Sequence, residues 1–125
     1  MRETKTAAYW SIPFTKICLG MNTDQERFTE LSFNARSLYS VVSSGHFSST
    51  NATKASWLSM VSRGLQKNCN KQGFNVVLRW KARVGIFTNN ENDCLTCDSW
   101  IVFGDSRTGC DYSYWPPSSC YILIK

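Results

Sequence analysis

Cysteine is the residue type in this sequence with the most chemistry to offer. The chain has 125 residues and six cysteines, an even number that is high for its length. Such a set in a short chain predicts three disulfides and an oxidising, extracellular compartment. The set comprises Cys18, Cys69, Cys94, Cys97, Cys110 and Cys120. We expect Cys18 to pair with Cys69, because both lie far from the other four.

The spacing Cys94-Leu95-Thr96-Cys97 leaves a second chemistry open. With Cys110 and Cys120 it could supply four thiolates to zinc. Cys110 and Cys120 lack the close spacing of a second zinc knuckle. Disulfides tying residues 89–98 to the C-terminal tail are therefore favoured, with zinc as the alternative.

The polar segment that follows residue 88 offers hard oxygen ligands. The candidate metal ligands are Asn89, Glu91, Asp93 and Asp98. Such oxygens suit calcium, although their spacing is not that of an EF-hand loop. The alternative is a turn in which the Asn and Asp side chains bond their own backbone. Calcium is accordingly the one candidate cofactor.

Two sets of side chains could bind an extracellular ligand. Tyr112, Tyr114 and Trp115 lie beside a proline pair, and exposed aromatic rings of this kind can stack on sugar rings. Arg79, Lys81 and Arg83 recur at period two, so in one extended strand they would share a basic face. Two explanations remain open for that face: pairing with acidic residues of the chain, and binding of a sulfated glycan or another anionic component of the extracellular matrix.

The sequence offers few candidates for catalytic residues. His46 is the one histidine, and it lies in a Ser-rich stretch without a nucleophile signature around it. No spacing of Asp and Glu residues singles out a general acid–base pair. We therefore predict that the protein is not an enzyme.

Further signals bear on compartment and partners. Asn51-Ala52-Thr53 is an N-glycosylation sequon, which adds to the extracellular prediction. The N-terminal residues lack an apolar leader, so we expect a signal peptide to have been removed. No apolar run reaches the roughly 18 residues that a membrane span needs. The net charge of +5 permits anionic partners, although solubility explains it equally well. We expect no nucleic-acid partner.

Periodicity indicates the elements that must position these residues. Ser37 is placed to cap a helix over 38–42, and Thr53 to cap a helix over 54–63. Residues 75–88 alternate as one long strand, and 9–14 and 16–21 read as shorter strands. Residues 100–103 and 121–124 are apolar on both faces, which predicts central strands. The fold class is α+β: one small domain over 1–125, with an antiparallel-rich sheet, short helices in the first half and disulfide staples.

Several segments together resemble a secreted domain of corals and other marine invertebrates, which includes uncharacterised skeletal organic matrix proteins. The segments are 37–40, 65–70, 73–75, 82–86, 89–94, 98–99 and 121–124, and Asn89-Asn90-Glu91-Asn92-Asp93-Cys94 is the most specific of them. Arg83 to Glu91 is also similar to part of the intelectins, which are calcium-dependent lectins related to fibrinogen-like domains. The Glu-His motif of the intelectin site is missing here. The resemblance implies a secreted lectin-like or matrix domain and transfers no binding residue.

These observations predict an extracellular binding module. Carbohydrate is the expected ligand, with calcium as an optional aid. The alternative is a structural component of an extracellular matrix or filament that associates with copies of itself.

Overall fold

Seven strands and three short helices make up the part of the chain that the computed structural model describes, residues 5–61, 64–77, 82–105, 109–114 and 117–125. The helices are α1 (Ala7–Ser11), α2 (Leu38–Val42) and α3 (Lys54–Leu58). The strands are β1 (Phe14–Asn22), β2 (Glu26–Ala35), β3 (Asn68–Val77), β4 (Ala82–Asn89), β5 (Ser99–Asp105), β6 (Gly109–Tyr112) and β7 (Ser119–Ile124).

The strands form two antiparallel sheets. The first has the order β2-β1-β7, and the second is a meander with the order β3-β4-β5-β6. Both sheets contribute to one buried cluster, since Ile17 and Leu19 of β1 share it with Val84 and Ile86 of β4. The α+β class with disulfide staples is therefore confirmed.

A second, smaller apolar cluster covers the other face of the second sheet. It contains Val76, Ala82, Phe87 and Val102, with Cys69, Cys97 and Trp100 packed against it. β4 is therefore largely buried on both of its faces, and Arg83 is only partly exposed. This second layer explains why β4 does not present a continuous face to water.

The two capped helices follow from their first residues. The Ser37 hydroxyl accepts a hydrogen bond from the Ser40 backbone N–H at 3.0 Å, and Ser40 Oγ accepts in return from the Ser37 N–H. At the start of α3, Thr53 Oγ1 accepts a hydrogen bond from the Ser56 N–H. Both predicted helix starts are confirmed, although α3 ends at Leu58 rather than Arg63, because the chain continues in turns through Met60.

Three predictions of strands are wrong. Residues 75–88 are not one strand, because β3 and β4 are antiparallel neighbours and the chain reverses between Val77 and Ala82. The segment predicted as a strand over 9–14 begins with α1 instead, and Pro13 follows the end of that helix. β7 contains residues 121–124 but lies at the edge of its sheet rather than in the centre. β5, by contrast, lies between β4 and β6 as predicted.

Candidate functional site

Four of the six cysteines form two disulfides, and neither of these bonds is the predicted Cys18–Cys69 bond. Cys69 is bonded to Cys94, and Cys110 to Cys120. The first bond fixes the start of β3 to the loop after β4, and the second joins β6 to β7 and thereby links the two sheets. A four-thiolate zinc site is excluded, because three of its four sulfurs are used in these bonds.

The predicted Cys18–Cys69 bond is wrong for a reason of sheet geometry. Ile17 and Leu19 point into the core between the sheets, so Cys18 lies on the outer face of the first sheet. Cys69 packs in the cluster on the outer face of the second sheet. Two sulfurs on opposite sides of the molecule cannot bond.

Cys18 and Cys97 are free thiols. Burial and, to a smaller extent, the neighbouring Asp98 carboxylate together raise the pKa of the Cys97 thiol to about 11. Its Sγ lies 3.7 Å from the backbone oxygen of Ser99. The prediction of three disulfides is therefore corrected to two disulfides and two thiols.

The loop of the calcium prediction is organised around the fully buried side chain of Asn89. Its Nδ2 donates to Asp93 Oδ1 at 3.1 Å and to Thr96 Oγ1 at 3.0 Å, while its Oδ1 accepts from the Glu91 N–H. Asp93 Oδ1 also accepts from the Leu95 N–H, and Asp98 Oδ2 accepts from the Asn90 N–H. These are the side-chain-to-backbone bonds of an Asn/Asp-rich turn.

As folded, this loop does not offer the four predicted residues as one ligand set. Asn89 directs a nitrogen, which is not a calcium ligand, towards Asp93. In the described part of the chain, no group of three or more His, Cys, Asp or Glu side chains is arranged to hold a metal ion. Calcium binding stays a prediction, and no other function is built on it here.

The structure describes three of the six predicted ligand-binding residues, namely Arg83, Tyr112 and Tyr114. Arg79, Lys81 and Trp115 lie outside the described residues, and Arg83 lies in β4. The prediction that Tyr112 lies at the surface is wrong, because β6 directs its side chain into the core and leaves it 1% exposed. Tyr114 is 38% exposed, and its ring meets the Tyr112 ring edge-on at 5.6 Å.

A larger exposed aromatic group lies elsewhere, where α1 meets α2. We call Tyr9, Trp10 and Tyr39 the aromatic surface. Trp10 is 54% exposed and Tyr39 is 45% exposed, with ring centroids 5.1 Å apart and planes tilted by 46°. The Tyr9 ring meets Trp10 edge-on at 4.8 Å. These ring contacts position the indole, and more than half of the Trp10 side chain stays exposed.

A shallow depression of about 530 Å³ adjoins the aromatic surface. Trp10 and Pro13 line it together with polar residues from the end of α1, the start of α2 and the segment before α2. Those polar residues are Ser11, Arg36, Ser37 and Ser40. Arg36 is exposed, so its guanidinium can donate hydrogen bonds to a ligand beside the indole.

The sequence interpretation missed this surface because it placed Tyr9 and Trp10 in a strand. One signal was present: Pro13 ends a preceding helix as readily as a strand. Asn51, the predicted glycosylation site, is exposed, and its Oδ1 accepts from the Ser32 N–H at 3.0 Å. Glycosylation of Asn51 stays a prediction.

Comparisons with models of protein families, with curated protein sequences and with solved structures each found no match for this chain. The helices of the described residues are five residues long, and none is long and apolar enough to cross a membrane.

Proposed function

We propose that this chain is an extracellular module that binds carbohydrate on the aromatic surface. The observation that carries the proposal is the exposed indole of Trp10 beside Tyr39, bordered by a polar depression. The two disulfides support the extracellular setting, because disulfides persist in oxidising compartments.

The chemistry of this surface matches both the apolar face and the polar rim of a sugar ring. One face of a pyranose carries C–H groups that pack on an aromatic ring, as apolar groups do on the face of Trp. The hydroxyl groups at its rim need hydrogen-bond partners, which Arg36 and the Ser11 hydroxyl can supply. Trp and Tyr lose little side-chain freedom on binding, which favours a small surface site.

Calcium in the loop after β4 would not touch this sugar. α1 borders a groove that Arg83 also lines, and Arg83 lies near the start of β4. Asn89 lies at the other end of that strand, about 20 Å away at roughly 3.3 Å per residue. We therefore expect sugar binding on the aromatic surface to need no calcium.

A glycan array probed with the parent protein and two variants tests the proposal. Trp10→Ala removes the stacking ring, and the loss of about 1.4 kcal/mol of stacking energy corresponds to a tenfold weaker affinity. Phe28→Ala is the matched control, because Phe28 is an exposed aromatic residue on β2, away from the aromatic surface. Parent binding that survives Trp10→Ala would contradict the proposal.

One observation favours a second candidate function, self-association into a matrix or filament. β2 and β7 are the edge strands of the first sheet, and Phe28 and Leu123 on these strands are 65% and 55% exposed. Both face outward beside Cys18 and Gly20 of β1. Unpaired edges with exposed apolar side chains invite pairing between copies.

A sizing column distinguishes the two candidates. Polymers that grow with protein concentration, and that Phe28→Ser with Leu123→Ser abolishes, would favour the matrix component. A monomer at all concentrations that binds glycan would favour the lectin. The prediction that the protein is not an enzyme is compatible with either outcome.

A further inference from the structure

A groove lies between the edge of the first sheet and the second sheet. Its volume is about 630 Å³, which is in the size range of small-molecule sites. β7 forms one wall along its whole length, and Ala8 and Tyr9 of α1 form another. We call this the β7 groove, and it is separate from the depression beside Arg36.

The floor of the β7 groove is the hydrophobic core itself. Leu38, Val42 and Phe103 line it, and each is at least nine-tenths buried. Ile122 and Ile124 of β7 continue the apolar lining towards the surface. A ligand that entered this groove would therefore remove apolar surface from water, which favours an apolar tail.

The charged residues of the groove have one sign. Lys5, Arg83 and Lys125 line it, and no lining residue that the structure describes is acidic. Lys125 Nζ lies 3.1 Å from Glu30 Oε2, so its charge is shared with a residue outside the groove. Lys5 is exposed, with its Nζ 5.3 Å from the Tyr9 ring centroid, and Arg83 is partly buried.

The position of Arg83 depends on a glycine in the neighbouring strand. A Cβ on Gly104 would overlap Cβ and Cγ of Arg83, so the stem of Arg83 lies directly against the β5 backbone. Gly104 also has φ +73°, a conformation that favours glycine. Arg83 therefore lines a largely apolar groove, where a bound anion interacts with a cation more strongly than in bulk water.

We propose that the β7 groove binds a small single-chain amphiphile with an anionic head, such as a fatty acid carboxylate or an alkyl sulfate. The apolar floor takes the tail, and Arg83 and Lys5 take the head. This proposal uses a different cavity from the carbohydrate proposal, although Tyr9 belongs to the aromatic surface and also lines the β7 groove.

Laurate is the probe that tests the proposal, in calorimetric titrations below its micelle concentration. Dodecyltrimethylammonium has a tail of similar length with a cationic head and serves as the charge control. We expect laurate to bind one to one and at least tenfold more tightly than the cationic amphiphile. Equal binding of the two would overturn the proposal.

Variants locate the site. Arg83→Ser should weaken laurate binding about tenfold, whereas Lys67→Ser, which removes an exposed lysine that does not line the groove, should change it less than twofold. Thr6→Trp should block the groove. Thr6 makes no side-chain capping hydrogen bond, so its replacement leaves α1 with the same backbone bonds. Ala8→Trp provides a second block if Thr6→Trp misfolds.

Two further outcomes would overturn the proposal. Laurate binding that survives both blocking variants, each shown to fold by circular dichroism, would place the amphiphile elsewhere. A sizing column that shows a dimer in which the groove is closed, with no laurate binding, would identify the groove as an interface between two copies.

Discussion

At the scale of single residues, Cys97 shows how burial decides cysteine chemistry. Its thiol is half-buried beside Asp98, and both effects disfavour the charged thiolate that is the reactive form. From its spacing in the sequence alone, Cys97 could be a zinc ligand together with Cys94, or a partner in a disulfide. The surroundings make it a poor nucleophile at neutral pH.

Alkylation with iodoacetamide tests this assignment. Raising the thiol pKa from 9.0 to about 11 lowers the thiolate fraction about a hundredfold at pH 8, so Cys97 should react about a hundredfold more slowly than a thiol of ordinary pKa. The rate should rise steadily with pH up to about 11. Mass spectrometry of the native protein should find two thiols, and Cys97→Ser should remove the slow phase. Three disulfides, or fast labelling of Cys97 at pH 8, would contradict the assignment.

At the scale of elements, local signals predicted the helices better than the strands. The capping serine and threonine at Ser37 and Thr53 bond to N–H groups three residues away, so the sequence carries the whole interaction. The hairpin of β3 and β4 was missed because alternation continues through residues 75–88 on both sides of the reversal. Alternation of apolar and polar residues with a period of two does not reveal where the chain reverses direction.

The candidate site was less predictable than the fold. The aromatic surface forms only when α1 packs against α2, which brings Tyr39 to Trp10 across about thirty positions of the sequence. Which cysteines meet depends on which face of which sheet each one occupies. Both features depend on the tertiary structure, so residue types and their local spacing could not predict them.

The loop after β4 provides a prediction at this scale. Asn89→Ala removes the buried amide that donates hydrogen bonds to Asp93 and Thr96, and losing these two bonds at about 1 kcal/mol each should cost about 2 kcal/mol of unfolding free energy. Asn90→Ala is the matched control, because Asn90 is exposed and receives its contacts through the backbone. Urea unfolding of both variants measures the difference. Equal stability of the two would contradict the role of Asn89.

Calcium is tested on the same loop. If the loop binds calcium, millimolar calcium raises the thermal midpoint above its value in EDTA, because a ligand of the native state stabilises it. Asp93→Asn should then abolish the rise. Identical midpoints in calcium and EDTA would rule out the calcium prediction.

At the scale of the whole molecule, one disulfide joins the two sheets. Cys110 lies in β6 and Cys120 in β7, whereas the Cys69–Cys94 bond connects a strand and a loop at one end of the second sheet. The joining bond also lies beside the β7 groove, since Cys120 lines it. This bond therefore helps to hold the two sheets in position as well as to stabilise them.

Removal of this bond should destabilise the protein measurably. Its cysteines are 10 residues apart, and closing such a loop restricts the unfolded chain by about 3 kcal/mol. We expect the Cys110→Ser, Cys120→Ser variant to lose about that much unfolding free energy in urea and to lose laurate binding. The Cys69→Ser, Cys94→Ser variant is the control and should keep the groove. A variant lacking the joining bond that is as stable as the parent would show that packing alone holds the sheets together.

The carbohydrate proposal is tested most directly by nuclear magnetic resonance. The glycan that the array selects is titrated into isotopically labelled protein, and the side-chain signals of the aromatic residues are followed. The Trp10 indole and Tyr39 ring signals should shift in a saturable way, with an affinity that Trp10→Ala reduces about tenfold. The Tyr114 ring signals should stay fixed. Shifts at Tyr114 with none at Trp10 and Tyr39 would contradict the assignment of sugar binding to the aromatic surface.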